Sequence, residues 1–262
     1  MTKPDVEITG RLPAIVLTCD RYHPFTAHMM MRYQTVWPSH PFTFHVPYQR
    51  QALSGDRVVS RRTEESIRAT VLGLLEELDD QTWVYWCVDD KYPIQFVQPA
   101  VARLAEAILS DQLPGIDGVL FCRCRRLLLP EYLSEEKRNG PGGVALLRRK
   151  DYSQIWIHQF LRARALRHLF LRLPESIANA SAMDAMKDRL ALPADDRLYV
   201  VETNLAVFGE STVGGQVTRN CAVSFRALGI EMPPGYSETD DEILIGAIDA
   251  GPGGSSAASL GE

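Results

Sequence analysis

The sequence contains no apolar run of the roughly 18 to 20 residues that a helix needs to cross a bilayer. Its first residues, MTKPDVEITGRLP, lack the apolar core of a secretory signal. The five cysteines are scattered, and the closest two, Cys122 and Cys124, do not have the CxxC spacing with which two thiolates hold one zinc ion. We therefore expect a cytoplasmic protein without disulfides, structural zinc or a membrane-spanning helix.

The sequence also has no excess of positively charged residues. The chain has 28 Lys and Arg residues against 33 Asp and Glu residues, which gives a formal net charge of −5. Residues 237–262 contain acidic residues but no Lys or Arg, so residues 1–236 are close to neutral. Without a global basic field the protein does not attract nucleic acid non-specifically, and we expect no nucleic-acid partner.

Glycine is absent where many nucleotide-binding proteins need it. The first strand-like run, AIVLTCD, is followed by RYHPF, which has no glycine turn. The lack of a GxGxxG motif disfavours a dinucleotide site. The lack of a glycine-rich loop with a basic residue also counts against a nucleotidyltransferase.

What the sequence does contain is an alternation of strand-like and helix-like segments. The strand-like segments are short apolar runs, and the helix-like segments have apolar residues three and four apart. In order, strands are predicted at 14–20, 42–48, 56–62, 82–88 and 118–124, with helices at 24–37, 63–78 and 99–113 between them. This alternation predicts a Rossmann-like α/β fold, with a mainly parallel central sheet and helices on both faces, in a single domain over residues 1–236.

The second half of the chain has less regular patterns. The sequence NGPGG at 139–143 predicts a mobile loop within residues 127–152. Residues 153–173 have the spacing of one long amphipathic helix, and LYVVETN at 198–204 predicts a late strand. Residues 237–262 are acidic and then rich in Gly and Ser, which predicts a flexible tail.

Acidic residues follow two of the predicted strands. Asp20 ends the first strand, and the adjacent Asp89 and Asp90 follow the apolar run TWVYWCV. Open parallel sheets bind ligands beyond the carboxyl ends of their strands. Two neighbouring carboxylates are both neutralised by a hard divalent cation that bridges to a diphosphate, as Mg²⁺ and Mn²⁺ do. The alternative is that these acids only end a strand, one capping the next turn and one facing water.

Three segments resemble bacterial glycosyltransferases of the GT-A type, and the similarity covers residues 12–235. They are AIVLTCD with Asp20 at its tip, VYWCVDDKY, and DYSQIWIHQFL. The resemblance implies a GT-A-like fold. It also implies a nucleoside diphosphate sugar as donor, with a UDP-sugar favoured.

The resemblance further implies roles for the three acids. Asp90 would hold Mn²⁺ or Mg²⁺, and Asp89 would be a second metal ligand or bind a ribose hydroxyl. Asp20 would lie near the uracil or the ribose. A capping role after the first strand is the alternative for Asp20.

Inverting sugar transfer also needs a carboxylate that removes the proton of the acceptor hydroxyl. Glu202 at the end of LYVVETN is our first candidate, and Asp151 is the second. Both have the alternative of being ordinary surface acids. Cations could stabilise the departing diphosphate, and the candidates are Arg61 and Arg62, the cluster Arg148–Lys150, and Arg219.

We therefore expect a divalent-metal-dependent glycosyltransferase that moves a sugar to a hydroxyl of a glycan, a lipid-linked intermediate or a small molecule. The arginines of segment 162–172 suggest a peripheral contact with the inner face of an anionic membrane, although simple solvation explains the same helix face. The alternatives are a catalytically silent binding module with the same fold and a nucleotidyltransferase.

Overall fold

The structure of the protein, a computed structural model, describes residues 11–177, 180–187 and 189–247. The Gly- and Ser-rich end, for which the sequence predicts disorder, lies outside the described residues. Strands and helices alternate through the first half of the chain in the predicted order β, α, β, β, α, β.

The strands are β1 (Leu12–Leu17), β2 (Phe42–Tyr48), β3 (Val58–Arg62), β4 (Trp83–Val88), β5 (Lys91–Phe96), β6 (Gly118–Leu120), β7 (Leu133–Asn139), β8 (Ala145–Arg149), β9 (Gln159–Arg162), β10 (Leu198–Val201), β11 (Ala206–Glu210), β12 (Thr212–Val213), β13 (Gln216–Val217) and β14 (Leu244–Ile245). The helices are α1 (His23–Val36), α2 (Ile67–Leu75), α3 (Gln98–Leu109), α4 (Ala163–Arg172), α5 (Ala180–Lys187) and α6 (Arg219–Ala227). Local sequence signals explain several helix starts. Pro lies in the first turn of α1 and of α3, and the Ser66 hydroxyl caps α2 by accepting from the backbone N–H of Ala69 at 3.1 Å.

Nine strands form the central sheet in the order β3-β2-β1-β4-β9-β6-β10-β8-β7. β1 pairs in parallel with β2 and β4, β2 pairs in parallel with β3, and β6 pairs in parallel with β10. β9 runs antiparallel between β4 and β6, and β8 runs antiparallel between β10 and β7. The prediction of an α/β fold with a mainly parallel central sheet is confirmed. A smaller sheet has the order β14-β11-β5.

Helices cover both faces of the central sheet, as predicted. One apolar core contains side chains of α1, α3 and α6, and the other contains side chains of α2, α4 and α5. β4 contributes to both cores because alternate side chains of a strand point to opposite faces. Tyr85 and Cys87 lie in the first core, and Trp86 and Val88 lie in the second. Among the described residues, no helix is long and apolar enough to span a membrane.

The prediction of one long helix over residues 153–173 is wrong in its first half. The chain forms β9 over Gln159–Arg162 and becomes helical only from Ala163. Every residue of β9 is buried, with Phe160 in one core and Leu161 in the other. A strand inserted between β4 and β6 satisfies its backbone through ladder hydrogen bonds on both sides, and this tertiary pairing overrides the helical spacing.

The mobile loop predicted for residues 127–152 is largely a hairpin. β7 and β8 pair across a turn at Pro141–Gly143, where Gly142 and Gly143 have φ angles of 66° and 79°. Glu136 on β7 binds the guanidinium of Arg148 on β8 at 2.6 Å. Cross-strand ion pairs of this kind order a polar segment that composition alone describes as a loop.

Part of the segment predicted to be a flexible tail contacts the domain. β14 pairs with β11, and Ile245 of β14 is buried in the first core. Glu238 forms an ion pair of 2.6 Å with Arg226 of α6. Residues 237–247 therefore extend the packed domain beyond the predicted boundary at 236.

Candidate functional site

The chain changes direction across the sheet between β1 and β4. β2 and β3 lie on one side of β1, and β4 lies on the other. The carboxyl ends of β1 and β4 are adjacent, with Leu17 paired to Val88 and the backbone N–H of Asp89 donating to the Leu17 carbonyl at 3.2 Å. Ligands of open α/β sheets bind at such a switch point. The structure thus brings Asp20, Asp89 and Asp90 to one edge of the sheet, as predicted from the strand ends.

Asp20 holds the loop that follows β2. Its Oδ1 accepts from the backbone N–H of Gln49 at 2.9 Å, and its Oδ2 accepts from those of Arg50 at 2.7 Å and Gln51 at 3.1 Å. Partial burial acts to raise the pKa of Asp20, but these three N–H donors outweigh it, and the net pKa lies below the usual range. The carboxylate is therefore a fixed anion that positions residues 49–51 beside the switch point.

Asp89 is a partly buried acid with an unusual affinity for protons. Burial is the main cause that raises its pKa to about 7, and the neighbouring charge of Asp90 adds to it, while a hydrogen bond from the Thr18 hydroxyl acts in the opposite direction. Burial is the main cause that raises the pKa of Cys19 and of Tyr22, both of which follow β1, and the charge of Asp89 adds to it. A carboxyl group that titrates near neutrality at a strand end is a feature of functional sites.

Asp90 takes part in a row of charges of alternating sign. The Nζ of Lys91 lies 2.8 Å from Oδ2 of Asp90 and 3.5 Å from Oε1 of Glu210. The guanidinium of Arg125 lies 3.3 Å from the same Glu210 oxygen. We refer to the side chains of Asp90, Lys91, Glu210 and Arg125 as the charge chain.

Lys91 remains an ammonium although it is buried. Burial acts to lower its pKa, but the carboxylates of Asp90 and Glu210 more than compensate, so the pKa of Lys91 is raised. Lys91 and Glu210 were not among the site residues predicted from the sequence. The contact depends on the antiparallel pairing of β5 with β11, which places Lys91 directly opposite Glu210, and no local pattern reveals a pairing between such distant residues. The only local signal was a lysine directly after two acids.

His158 fixes the end of β4 from inside the core. Its Nε2 lies 2.9 Å from the carbonyl of Val88, and its Nδ1 lies 2.6 Å from the hydroxyl of Tyr33, which lies 2.8 Å from that of Tyr85. Burial lowers the pKa of His158 to about 4, so the ring is neutral at pH 7. The carbonyl can only accept, which assigns the proton to Nε2 and makes Nδ1 the acceptor from Tyr33. The residue before Asp89 is thus anchored by a buried hydrogen-bond network.

A cavity of about 450 Å³ adjoins the charge chain through Arg125. It is lined by Arg125, Arg126, Gln154, Trp156, Asp184, Ala185 and Lys187. The indole N–H of Trp156 donates to Asp184, whose carboxylate lies 3.0 Å from the Nζ of Lys187. Three cationic side chains against one acidic side chain make this cavity suited to an anionic ligand, and Trp156 adds an apolar wall.

The two predicted bases, Glu202 and Asp151, lie in different parts of the central sheet. Glu202 directly follows β10 and forms an exposed ion pair of 2.6 Å with Lys137. β9 and β6 separate β10 from β4, so the two strands are about 14 Å apart at the usual strand spacing. Asp151 follows β8, whose Arg148 pairs with Tyr199 near the amino end of β10. Asp151 therefore lies towards the opposite edge of the sheet, and its carboxylate accepts from the backbone N–H of Ser153 at 2.8 Å.

The predicted phosphate ligands Arg61 and Arg62 are not brought to the acid pair. Both belong to β3, which β2 and β1 separate from β4. The guanidinium of Arg61 binds Glu76 at 2.5 Å, at the end of α2, and Arg62 is exposed. Arg61 therefore forms an ion pair at the end of α2 and does not face the acid pair.

At Asp90, one of the two acids predicted to hold a divalent metal, a cation of the protein is already present. The Asp90 carboxylate already has the ammonium of Lys91 at 2.8 Å, and a dication placed beside that ammonium would be repelled. Among the described residues, the ligand atoms that lie within 4.8 Å of one another belong to His168, Asp195 and Asp196. There the guanidinium of Arg164 lies 3.8 Å from Asp195 and 3.9 Å from Asp196, and it is closer to Asp117, at 2.7 Å.

No protein-family model matches the chain, and no curated protein matches it. Solved structures give matches at low similarity. The chain is 13% identical, with a TM-score of 0.42, to 2-C-methyl-D-erythritol 4-phosphate cytidylyltransferase from Thermus thermophilus, over 84% of this chain and 100% of that one. It is 13% identical, with a TM-score of 0.39, to S. aureus TarS 1-349, over 75% of this chain and 59% of that one. It is 13% identical, with a TM-score of 0.37, to galactosyltransferase LgtC in complex with donor and acceptor sugar analogs, over 68% of this chain and 66% of that one.

Proposed function

We propose that the protein is a glycosyltransferase that uses a nucleoside diphosphate sugar, with UDP favoured as the nucleotide. The observation that carries this proposal is that three features meet at the switch point between β1 and β4. They are the loop held by Asp20, the acid Asp89 and the charge chain. These groups could bind the nucleoside, the diphosphate and the sugar of such a donor at one edge of the sheet. The acceptor is a hydroxyl of a glycan, a lipid-linked intermediate or a small molecule.

The nucleoside would lie at the end of β1. The loop held by Asp20 offers backbone groups there, and the guanidinium of Arg21 lies 5.7 Å from the ring centres of both Tyr22 and Tyr236. Such a layer of aromatic and guanidinium planes is a surface on which a base can stack. The diphosphate would then face the charge chain, and the sugar would face the cavity that contains Trp156.

The reaction breaks the bond between the anomeric carbon and the diphosphate oxygen, and the electron pair leaves with the diphosphate. The acceptor oxygen forms the new bond to the anomeric carbon, and its proton passes to a carboxylate. Cations fixed beside the departing oxygen stabilise the charge that develops in the transition state. We assign the base to Glu202, whose carboxylate is paired with Lys137 at 2.6 Å.

Thermal shift and calorimetry with UDP-, GDP-, CDP- and dTDP-sugars test the proposal, each measured in Mn²⁺ and in EDTA. A ligand that binds only the native state raises the melting temperature. We expect one donor class to raise it, and Asp89→Asn to reduce that rise. Asp56→Asn is the matched control, because Asp56 is an exposed acid in the loop before β3.

The outcome also separates the alternatives. Hydrolysis or transfer of the bound sugar supports a glycosyltransferase. Donor binding without any turnover points to a silent binding module, and release of pyrophosphate from a nucleoside triphosphate points to a nucleotidyltransferase. If no nucleotide changes the melting temperature, the proposed function is wrong.

A further inference from the structure

Lys91 occupies an unusual position for a lysine. Its side chain is only 8% exposed, and it lies between the carboxylates of Asp90 and Glu210, which are 49% and 14% exposed. Burying an ammonium is costly, and the cost is recovered only through close opposite charges. The pairing of β5 with β11 sets Lys91 opposite Glu210, so the backbone itself determines this contact.

The charge chain is electrically balanced by its own residues. The carboxylates of Asp90 and Glu210 are matched by the cations of Lys91 and Arg125. The two acids therefore do not require an added cation. They are also an unfavourable place for one, because a dication would have to displace an ammonium that the fold holds in place.

The ammonium of Lys91 forms one hydrogen bond and one longer ion pair. A lysine ammonium carries three N–H groups. One of them donates to Asp90 at 2.8 Å, and the Glu210 carboxylate lies farther from the nitrogen, at 3.5 Å. The exposed guanidinium of Arg125 lies at the end of the same row and lines the cavity.

We propose that the ammonium of Lys91 is the resident cation of this site, so that the protein binds a nucleoside diphosphate without a divalent metal. The ammonium of Lys91 and the guanidinium of Arg125 meet the phosphate oxygens, while Asp90 and Glu210 hold the ammonium in position. The nucleotide part of this inference rests on the proposed function. The exclusion of a metal by Lys91 does not.

The substitution Lys91→Ala should turn the site into a metal site. It leaves Asp90 and Glu210 as carboxylates without their shared cation, with Asp89 next in sequence. Carboxylate oxygens are the ligands that Mn²⁺ prefers. Arg226→Ala is the matched control, because Arg226 is exposed and its removal likewise leaves a carboxylate, that of Glu238, without its cation.

The experiment titrates Mn²⁺, and separately UDP, into the EDTA-treated full chain by calorimetry. We expect the wild type and Arg226→Ala to bind no Mn²⁺, and to bind UDP equally well in EDTA and in Mn²⁺. Lys91→Ala should bind one Mn²⁺ per chain. In EDTA its UDP affinity should fall by about tenfold or more, and Mn²⁺ should restore part of that loss.

Wild-type binding of one Mn²⁺, or a rise of about tenfold in wild-type UDP affinity on adding Mn²⁺, would overturn the inference whether or not the variant folds. So would a folded Lys91→Ala variant that binds UDP as tightly as the wild type in EDTA. If the wild type binds no nucleotide under either condition, the proposed function fails. The two Mn²⁺ titrations then still decide whether Lys91 excludes a metal.

Discussion

Buried histidines define the acid sensitivity of the fold at the level of single residues. Burial lowers the pKa of His28 to about 3 and those of His40 and His158 to about 4, from an ordinary value of 6.5. Below pH 6.5 the unfolded chain therefore binds protons that the folded chain does not. The free energy of unfolding falls as the pH drops from 6.5 towards 4, where the folded rings begin to accept protons.

We expect His158→Gln to weaken this pH dependence. A glutamine amide can still donate to the Val88 carbonyl and accept from Tyr33, but it does not titrate. Between pH 7 and 5.5 the variant should lose about 1 kcal/mol less of its free energy of unfolding than the wild type. Denaturant titrations at the two pH values measure the difference, and equal losses in both proteins would contradict the assignment of a neutral, buried ring.

The substitution Glu202→Gln tests the proposed base. The variant should bind the donor as the wild type does, because Glu202 lies at the end of β10, two strands beyond the neighbour of β4. Transfer should fall by about a hundredfold or more, the usual contribution of general base catalysis. Wild-type turnover would reassign the base. Glu135→Gln is the control, because Glu135 is an exposed acid on β7.

β9 is the element misassigned from the sequence, and the reason is physical. Its apolar residues fit a helical spacing with those of α4, and the alternation of Phe160 and Leu161 over four residues is too short to indicate a strand. It forms a strand because it pairs with β4 on one side and with β6 on the other, and its backbone joins these two strands into one sheet. Such a requirement exists only in the assembled sheet.

Close packing around β9 predicts the effect of a single methyl group. A Cβ at Gly118 of β6 would lie 2.5 Å from the Leu161 Cδ2 and 2.7 Å from the Leu198 Cδ2. Overpacking of this kind costs about 1 to 3 kcal/mol, so Gly118→Ala should lower the melting temperature by several degrees. Gly73→Ala in α2 should instead stabilise slightly, since the nearest side-chain atom to its Cβ is Thr63 Cγ2 at 3.7 Å. Thermal denaturation of both variants checks the opposite signs.

For the whole molecule, the first half of the sheet and the position of the acids could be predicted from the sequence. Apolar strands and amphipathic helices of ordinary length identify themselves locally, and the acids that follow β1 and β4 then meet because parallel strands end at one edge. The charge chain could not be predicted. Its contacts join β5, β11 and the turn after β6, and they depend on the three-dimensional pairing of segments that are distant in sequence.

Two truncations test how far the packed domain extends. Ending the chain after residue 236 removes β14, the buried Ile245 and the ion pair of Glu238 with Arg226. Loss of the buried isoleucine alone costs about 1.5 to 3 kcal/mol, so the melting temperature should fall clearly. Ending the chain after residue 247 keeps all of these contacts and should leave the melting temperature unchanged. Equal melting temperatures for the two shortened proteins would show that β14 adds nothing to stability.

The central position of β9 also constrains how the protein is made. β4 ends at residue 88 and β6 at residue 120, yet the strand that joins them ends only at Arg162. During translation the strands β3, β2, β1 and β4 can therefore assemble while β6 still has no neighbour on that side. The growing polypeptide carries an open ladder edge on β4 until the ribosome has released β9, and this interval is when a chaperone or a neighbouring nascent chain has access to it.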